Sequence, residues 1–168
     1  MKNNIVLLGF MGCGKSTVGK LLAAKTGYSF IDTDSLIEKK ENMSVNDIFK
    51  EKGEAYFRAA EAETVKELTS RERLIIAVGG GTVLNAENVE ALKASGFCVW
   101  LKVSPEAVLK RLKNDTTRPL LQRNDKEAAV KELITAREPL YRAACDAQIN
   151  ADCSAEEAAD SVILLFGK

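Results

Sequence analysis

Nine consecutive residues near the amino end, GFMGCGKST (Gly9 to Thr17), bring three glycines, a lysine and two hydroxyl side chains together. Bare backbone amides in such a loop converge on an anion, and a helix starting behind it adds its positive end. The spacing G-x-x-x-x-G-K-S assigns Lys15 to the β- and γ-phosphates of a nucleotide and the Ser16 hydroxyl to Mg²⁺. A glycine turn that merely packs gives no reason for either residue. Cys13 takes a free slot of the loop. Its place near a helix start and a lysine would favour the thiolate, but a small tolerated side chain is the plainer reading.

Two carboxylates follow in FIDTDS, Asp32 and Asp34, two residues apart at the end of an expected strand. A period of two puts both on one side of the sheet if the strand persists, one to hold the water shell of a metal and the other to meet an acceptor hydroxyl. The alternative is that Asp34 or Ser35 caps the next helix. The run LIIAVGGG ends in glycine where many phosphate-loop proteins end a strand in aspartate, which passes metal duty to Asp32. Gly79, Gly80 and Gly81 remove side chains where a substrate approaches backbone.

Three arginines complete the chemistry. Arg58, in GEAYFRAAEAE, has Glu61 one helical turn on to orient its guanidinium, although taken alone this reads as a surface pair. Arg118 precedes Pro119 in a polar stretch and is held extended; beside a transferring phosphoryl group it would stabilise developing charge, and otherwise it is a solvated loop residue. Arg137 stands two residues before Pro139, where the helix is expected to kink or stop, which fixes its direction. An arginine fork suits a carboxylate, so two converging would select an anionic acceptor.

The elements that must position these groups alternate between short apolar runs and amphipathic segments. NIVLLGF, YSFID, RLIIAVGGG, FCVWLKV and DAQIN read as strands, and Lys15 to Thr26 as the first helix. Residues 34–70 read as helix in two or three pieces, broken around Asn42 and Gly53. Ala86 to Ser95 is a helix, and SPEAVLKRL another with Ser104 as N-cap. Residues 114–124 form a loop, a long helix from about Asp125 is interrupted at Pro139, and AEEAADSVILLF closes the chain. Ile37, Ile48, Leu68, Val108, Leu112, Leu133, Trp100 and the tail Val162 to Phe166 are core positions. The alternation implies an α/β protein with a parallel sheet covered on both faces, and such sheets bind ligands beyond the carboxyl ends of their strands.

At 168 residues the chain suits one domain. Apolar residues make up 46% and charged residues 29%, with 24 basic against 24 acidic side chains, so no broad field draws nucleic acid or anionic lipid and any anion site is local. Four cysteines without a Cys-x-x-Cys pair, and no histidine, argue for free thiols and a cytoplasmic protein. No segment approaches the roughly 20 apolar residues of a membrane span.

In order and spacing, GFMGCGKSTVG, FIDTD, GEAYFRAAE, VGGGTV, RPLL and REPLY resemble the shikimate kinase family nearly end to end. The resemblance implies a three-layer P-loop NTPase fold of the nucleoside monophosphate kinase type, with a five-stranded parallel sheet. It implies transfer of the γ-phosphoryl group of ATP to the 3-hydroxyl of shikimate, on the route to chorismate and the aromatic amino acids. Carried over, Gly12, Cys13, Gly14, Lys15, Ser16 and Thr17 bind the phosphates, and Ser16 and Asp32 hold Mg²⁺. Asp34 meets the acceptor hydroxyl. Arg58, oriented by Glu61, takes the carboxylate with Arg137, beside the backbone of Gly79 to Gly81. Arg118 belongs to a lid over ATP and Arg111 lies near adenine.

Relatives carry a basic or proline-containing stretch after the last strand where this chain has NADCSAEEA, which leaves Ser154 to contribute to the adenine site. The expected division is a core (1–33, 71–111, 125–168), an acceptor-binding helical region (34–70) and a lid (112–124), in a monomer acting on ATP and shikimate without nucleic acid or membrane. A kinase of another small hydroxy acid such as gluconate is the nearest alternative. A guanine-type switch lacks its Asn-Lys-x-Asp, and a catalytically silent binding module would have lost the aspartates or arginines.

Overall fold

The short runs pair as expected: NIVLL and LIIA at the centre are rich in Ile, Val and Leu, while SFID and AQIN at the edges hold one Ile each. The computed structural model describes residues 3–115 and 123–167. In chain order the elements are β1 (Asn4–Leu8), α1 (Lys15–Thr26), β2 (Ser29–Asp32), α2 (Thr33–Glu41), α3 (Val45–Lys52), α4 (Glu54–Thr69) and β3 (Leu74–Ala77). A single 3₁₀ turn (Thr82–Leu84) then leads into α5 (Ala86–Ser95), β4 (Gly96–Lys102), α6 (Pro105–Arg111), α7 (Lys126–Ala144), β5 (Ala147–Asn150) and α8 (Ala155–Phe166).

The sheet runs β2-β3-β1-β4-β5, with every neighbouring pair parallel. Every residue of β1 and β3 is buried, so helices cover both faces at the centre. The main core joins Ile5, Leu7, Ile75, Ile76, Val99 and Leu101 to helix residues such as Leu22, Leu68 and Val162. A smaller cluster, Ile37, Ile48 and Phe57, packs α2, α3 and α4 against one another, giving that helical region a core of its own. The breaks fall where the sequence puts them: Asn42 ends α2 in the left-handed conformation (φ 51°), and Gly53 separates α3 from α4 (φ 89°).

Three local expectations are corrected. The second strand stops at Asp32, and Asp34 lies in the first turn of α2, so the carboxylates are not strand neighbours of one face. Neither Asp34 nor Ser35 caps that helix; Asp32 does, accepting from Ser35 N. Nor does Pro139 interrupt its helix, since α7 runs from Lys126 to Ala144 with the proline inside. The ring lies on the exposed side while Val130, Tyr141 and Ala144 bury the opposite one, and that packing on both sides of the proline outweighs one lost backbone bond.

Candidate active site

The loop between β1 and α1 takes its shape from glycines in positive-φ conformations, Gly12 at 75° and Gly14 at 92°, the latter as the N-cap of α1. Lys15 folds back over the loop, its Nζ donating to the carbonyls of Gly9 (2.7 Å) and Phe10 (3.1 Å) and lying 3.5 Å from Cys13 Sγ. Cys13 itself is buried. Ser16 Oγ donates to Asp32 Oδ2 at 2.8 Å, while Asp32 Oδ1 accepts from Ser35 N, so one aspartate ties the phosphate loop to the start of α2. Hard oxygen donors of this kind suit Mg²⁺.

Asp34 faces the same space. A cavity of about 220 Å³ is lined by Lys15, Ser16, Asp32 and Asp34 together with Gly79 and Gly80. Asp34 Oδ1 is buried with no hydrogen-bond partner among the described residues. Burial, followed by the negative charges of Asp32 and Glu61, pushes its carboxyl up to about 6, against the opposing pull of Lys15.

The three glycines lie beneath three different charged side chains. A Cβ on Gly79 would stand 2.8 Å from Asp34 Oδ1, and one on Gly81 2.6 Å from the guanidinium of Arg58. At Gly80 the nearest atom would be Arg137 Nη1, at 3.5 Å, with Tyr141 Oη close by. Arg58 donates to Glu61 Oε1 (2.9 Å) and lies over the ring of Phe57. Glu61 is buried and accepts from Thr82 through its other oxygen. Arg137 reaches the run from α7.

Three residues of this site escape a reading of the sequence. Tyr141 Oη donates to Gly80 O at 2.7 Å, and its phenol is pushed up to about 12 by burial. It stands one turn after Arg137, a relation that appears only once the helix is carried through Pro139. Thr33 Oγ1 accepts from Gly79 N. Thr82 follows the glycines directly, and no spacing signal joins it to Glu61.

Towards α8 a second cavity, about 230 Å³, is lined by Gly14, Thr17, Arg111, Ala151, Cys153 and Ser154 among others. Arg111 donates to Gly12 O (3.2 Å) and to Ala151 O, bridging the phosphate loop to the end of β5. The Ser154 hydroxyl is engaged in a capping box with Glu157 at the start of α8, which leaves the side chain little to offer a base. Arg118 lies outside the described residues, as does most of the expected lid.

A phosphate loop at the carboxyl end of a central strand, a carboxylate facing it across one cavity and two arginines beside a glycine run define a P-loop phosphotransferase acting on a small anionic acceptor. A sequence model described as shikimate kinase matches residues 11–166. A shikimate kinase from Sulfurihydrogenibium sp. is 48% identical over 149 residues, covering 89% of this chain and 88% of that protein. The structure of a shikimate kinase from Acinetobacter baumannii in complex with shikimate superposes with a TM-score of 0.93 at 40% identity, over 97% of this chain and 92% of that one. A gluconokinase from Sinorhizobium meliloti matches at a TM-score of 0.59 and 16% identity, over 99% of this chain and 92% of that one, a likeness of fold alone. The chain belongs to the shikimate kinase family, and its activity is the ATP-dependent phosphorylation of shikimate.

Proposed function

We propose that the chain carries out an in-line transfer of the γ-phosphoryl group of ATP to the 3-hydroxyl of shikimate, using the residues assembled above. The observation that carries this reading is the single cavity lined by both Lys15 and Asp34, which puts a phosphate-binding ammonium and an unpartnered carboxylate oxygen on one space. Lys15 and the loop amides of Gly12 to Thr17 hold the triphosphate. Asp34 receives the acceptor hydroxyl and orients it towards the γ-phosphorus. Arg58 and Arg137 take the acceptor carboxylate beside Gly79, Gly80 and Gly81, with Glu61 holding Arg58. Positioning and charge neutralisation supply most of the acceleration in such a transfer.

Ser16 and Asp32 would hold Mg²⁺, which when bound neutralises charge on the phosphates. Arg118, in a lid of residues 112–124, would add a cation at the transferring group, and Arg111 would lie against the base. Closure of that lid would keep water from the γ-phosphate. The core would serve as the nucleotide platform and the helical region 34–70 as the acceptor platform, a division that the separate apolar cluster of that region supports. No helix among the described residues is long and apolar enough to cross a membrane. With balanced charge and four free thiols, the protein fits a cytoplasmic monomer without nucleic-acid partners.

A coupled ADP-release assay with Mg²⁺-ATP and purified protein tests the reading. ADP should form rapidly with shikimate, and only at background with gluconate or without acceptor. Equal turnover with gluconate, or without any acceptor, would refute it.

A further inference from the structure

We infer that Thr82 is the positioning residue that aims Arg58 at the acceptor acid. The inference rests on the reading in which Arg58 binds that acid's carboxylate. Glu61 is 1% exposed, and a carboxylate so deeply buried needs a donor on each oxygen. Arg58 Nη1 supplies one, 2.9 Å from Oε1. Thr82 Oγ1 supplies the other, 2.7 Å from Oε2.

Thr82 is itself fully buried (0% exposed), and its position is fixed by the turn it begins, with Thr82 N donating to Gly79 O at 3.1 Å. The 3₁₀ turn thus delivers the glycine run and the hydroxyl that anchors Glu61 as one unit.

A second carboxylate competes for the same arginine. Glu54, one turn back on α4, has Oε1 3.6 Å from Arg58 Nε, and its side chain is 66% exposed. Glu61, anchored by Thr82, draws the guanidinium inward across Gly81; Glu54 draws it out towards solvent. Without the Thr82 hydroxyl, Glu61 Oε2 is a buried charge lacking a donor. The carboxylate then turns away, and Arg58 falls back on Glu54. The pairing of Arg58 with Glu61 is therefore conditional on a residue that touches no substrate.

The test is steady-state kinetics of Thr82→Val, varying each substrate in turn. KM for shikimate should rise about tenfold, the worth of one buried hydrogen bond to a charged group, while KM for ATP stays within about twofold. Thr82→Ser should restore the wild-type value. Adding Glu54→Gln to Thr82→Val should recover most of the loss by removing the competitor, which a merely structural role for Thr82 would not produce.

An unchanged KM for shikimate, an equal rise in both constants, or a double variant no better than Thr82→Val would each overturn the inference. If circular dichroism shows Thr82→Val unfolded, Thr82→Ala carries the same test. Arg58→Ala, measured alongside, separates the two levels of failure. If it leaves KM for shikimate unchanged, the assignment of Arg58 is at fault, and the inference falls with it. If it raises KM while Thr82→Val does not, only the role of Thr82 falls.

Discussion

At the scale of single residues, Asp34 is held at a cost. Its Oδ1 is buried without a partner among the described residues, and the charges of Asp32 and Glu61 add to the burial, so its carboxyl is pushed up to about 6 from an ordinary 3.8. A carboxyl whose folded pKa lies above its unfolded one favours the protonated folded state. Its penalty is absent below about pH 4, grows as pH rises to 6 and is complete above that, where two units amount to roughly 3 kcal/mol. Asp34→Asn should therefore stabilise the metal-free protein at pH 7.5 and lose most of that gain at pH 4.5, while transferring no phosphoryl group. Urea unfolding of both proteins in EDTA at the two pH values checks this; an equal difference at both would remove the electrostatic explanation. On the reading in which Asp34 meets the acceptor hydroxyl, the site keeps a destabilising carboxylate for the sake of activity, a common trade against stability.

At the scale of elements, the glycine run after β3 is a floor on which α2, α4 and α7 each set down a side chain. At Gly81 an added methyl would meet the far end of the Arg58 side chain, which can move without disturbing the fold; at Gly79 it would meet Asp34 Oδ1 and, at 3.2 Å, the buried Glu61 Oε2. Gly79→Ala should lower kcat by about tenfold or more through Asp34, and Gly81→Ala should raise KM for shikimate by about tenfold through Arg58. Gly81→Ala should leave the melting temperature nearly unchanged. Gly19→Ala gives the contrast: its methyl would stand 2.3 Å from the ring of Phe30 in the packing of α1 on β2, so stability should fall instead. Kinetics and thermal melts on the three variants separate these effects, and a large drop in melting temperature for Gly81→Ala would contradict the account.

At the scale of the whole molecule, the sheet order puts β1 between β3 and β4, so the phosphate loop rises from the middle strand with the glycine run beside it. Ligands that bind only the folded chain stabilise it by mass action. ATP at a hundred times its Kd should raise the melting temperature by roughly 5–10 °C, and shikimate should add to that shift. A differential scanning fluorimetry titration showing no shift with ATP would argue against an intact phosphate cradle.

Much of this was written into the chain locally. Alternating apolar runs dictate a parallel sheet, the G-x-x-x-x-G-K-S spacing dictates the anion loop, and Asn42 and Gly53 dictate the helix breaks, because each depends on residues close together in sequence. Only the tertiary structure decided that α7 continues through Pro139, that Asp32 accepts from Ser16, and that Thr82 and Tyr141 reach Glu61 and Gly80. Those outcomes turn on packing and on hydrogen bonds between residues 16 to 61 positions apart, whose energies no local pattern encodes.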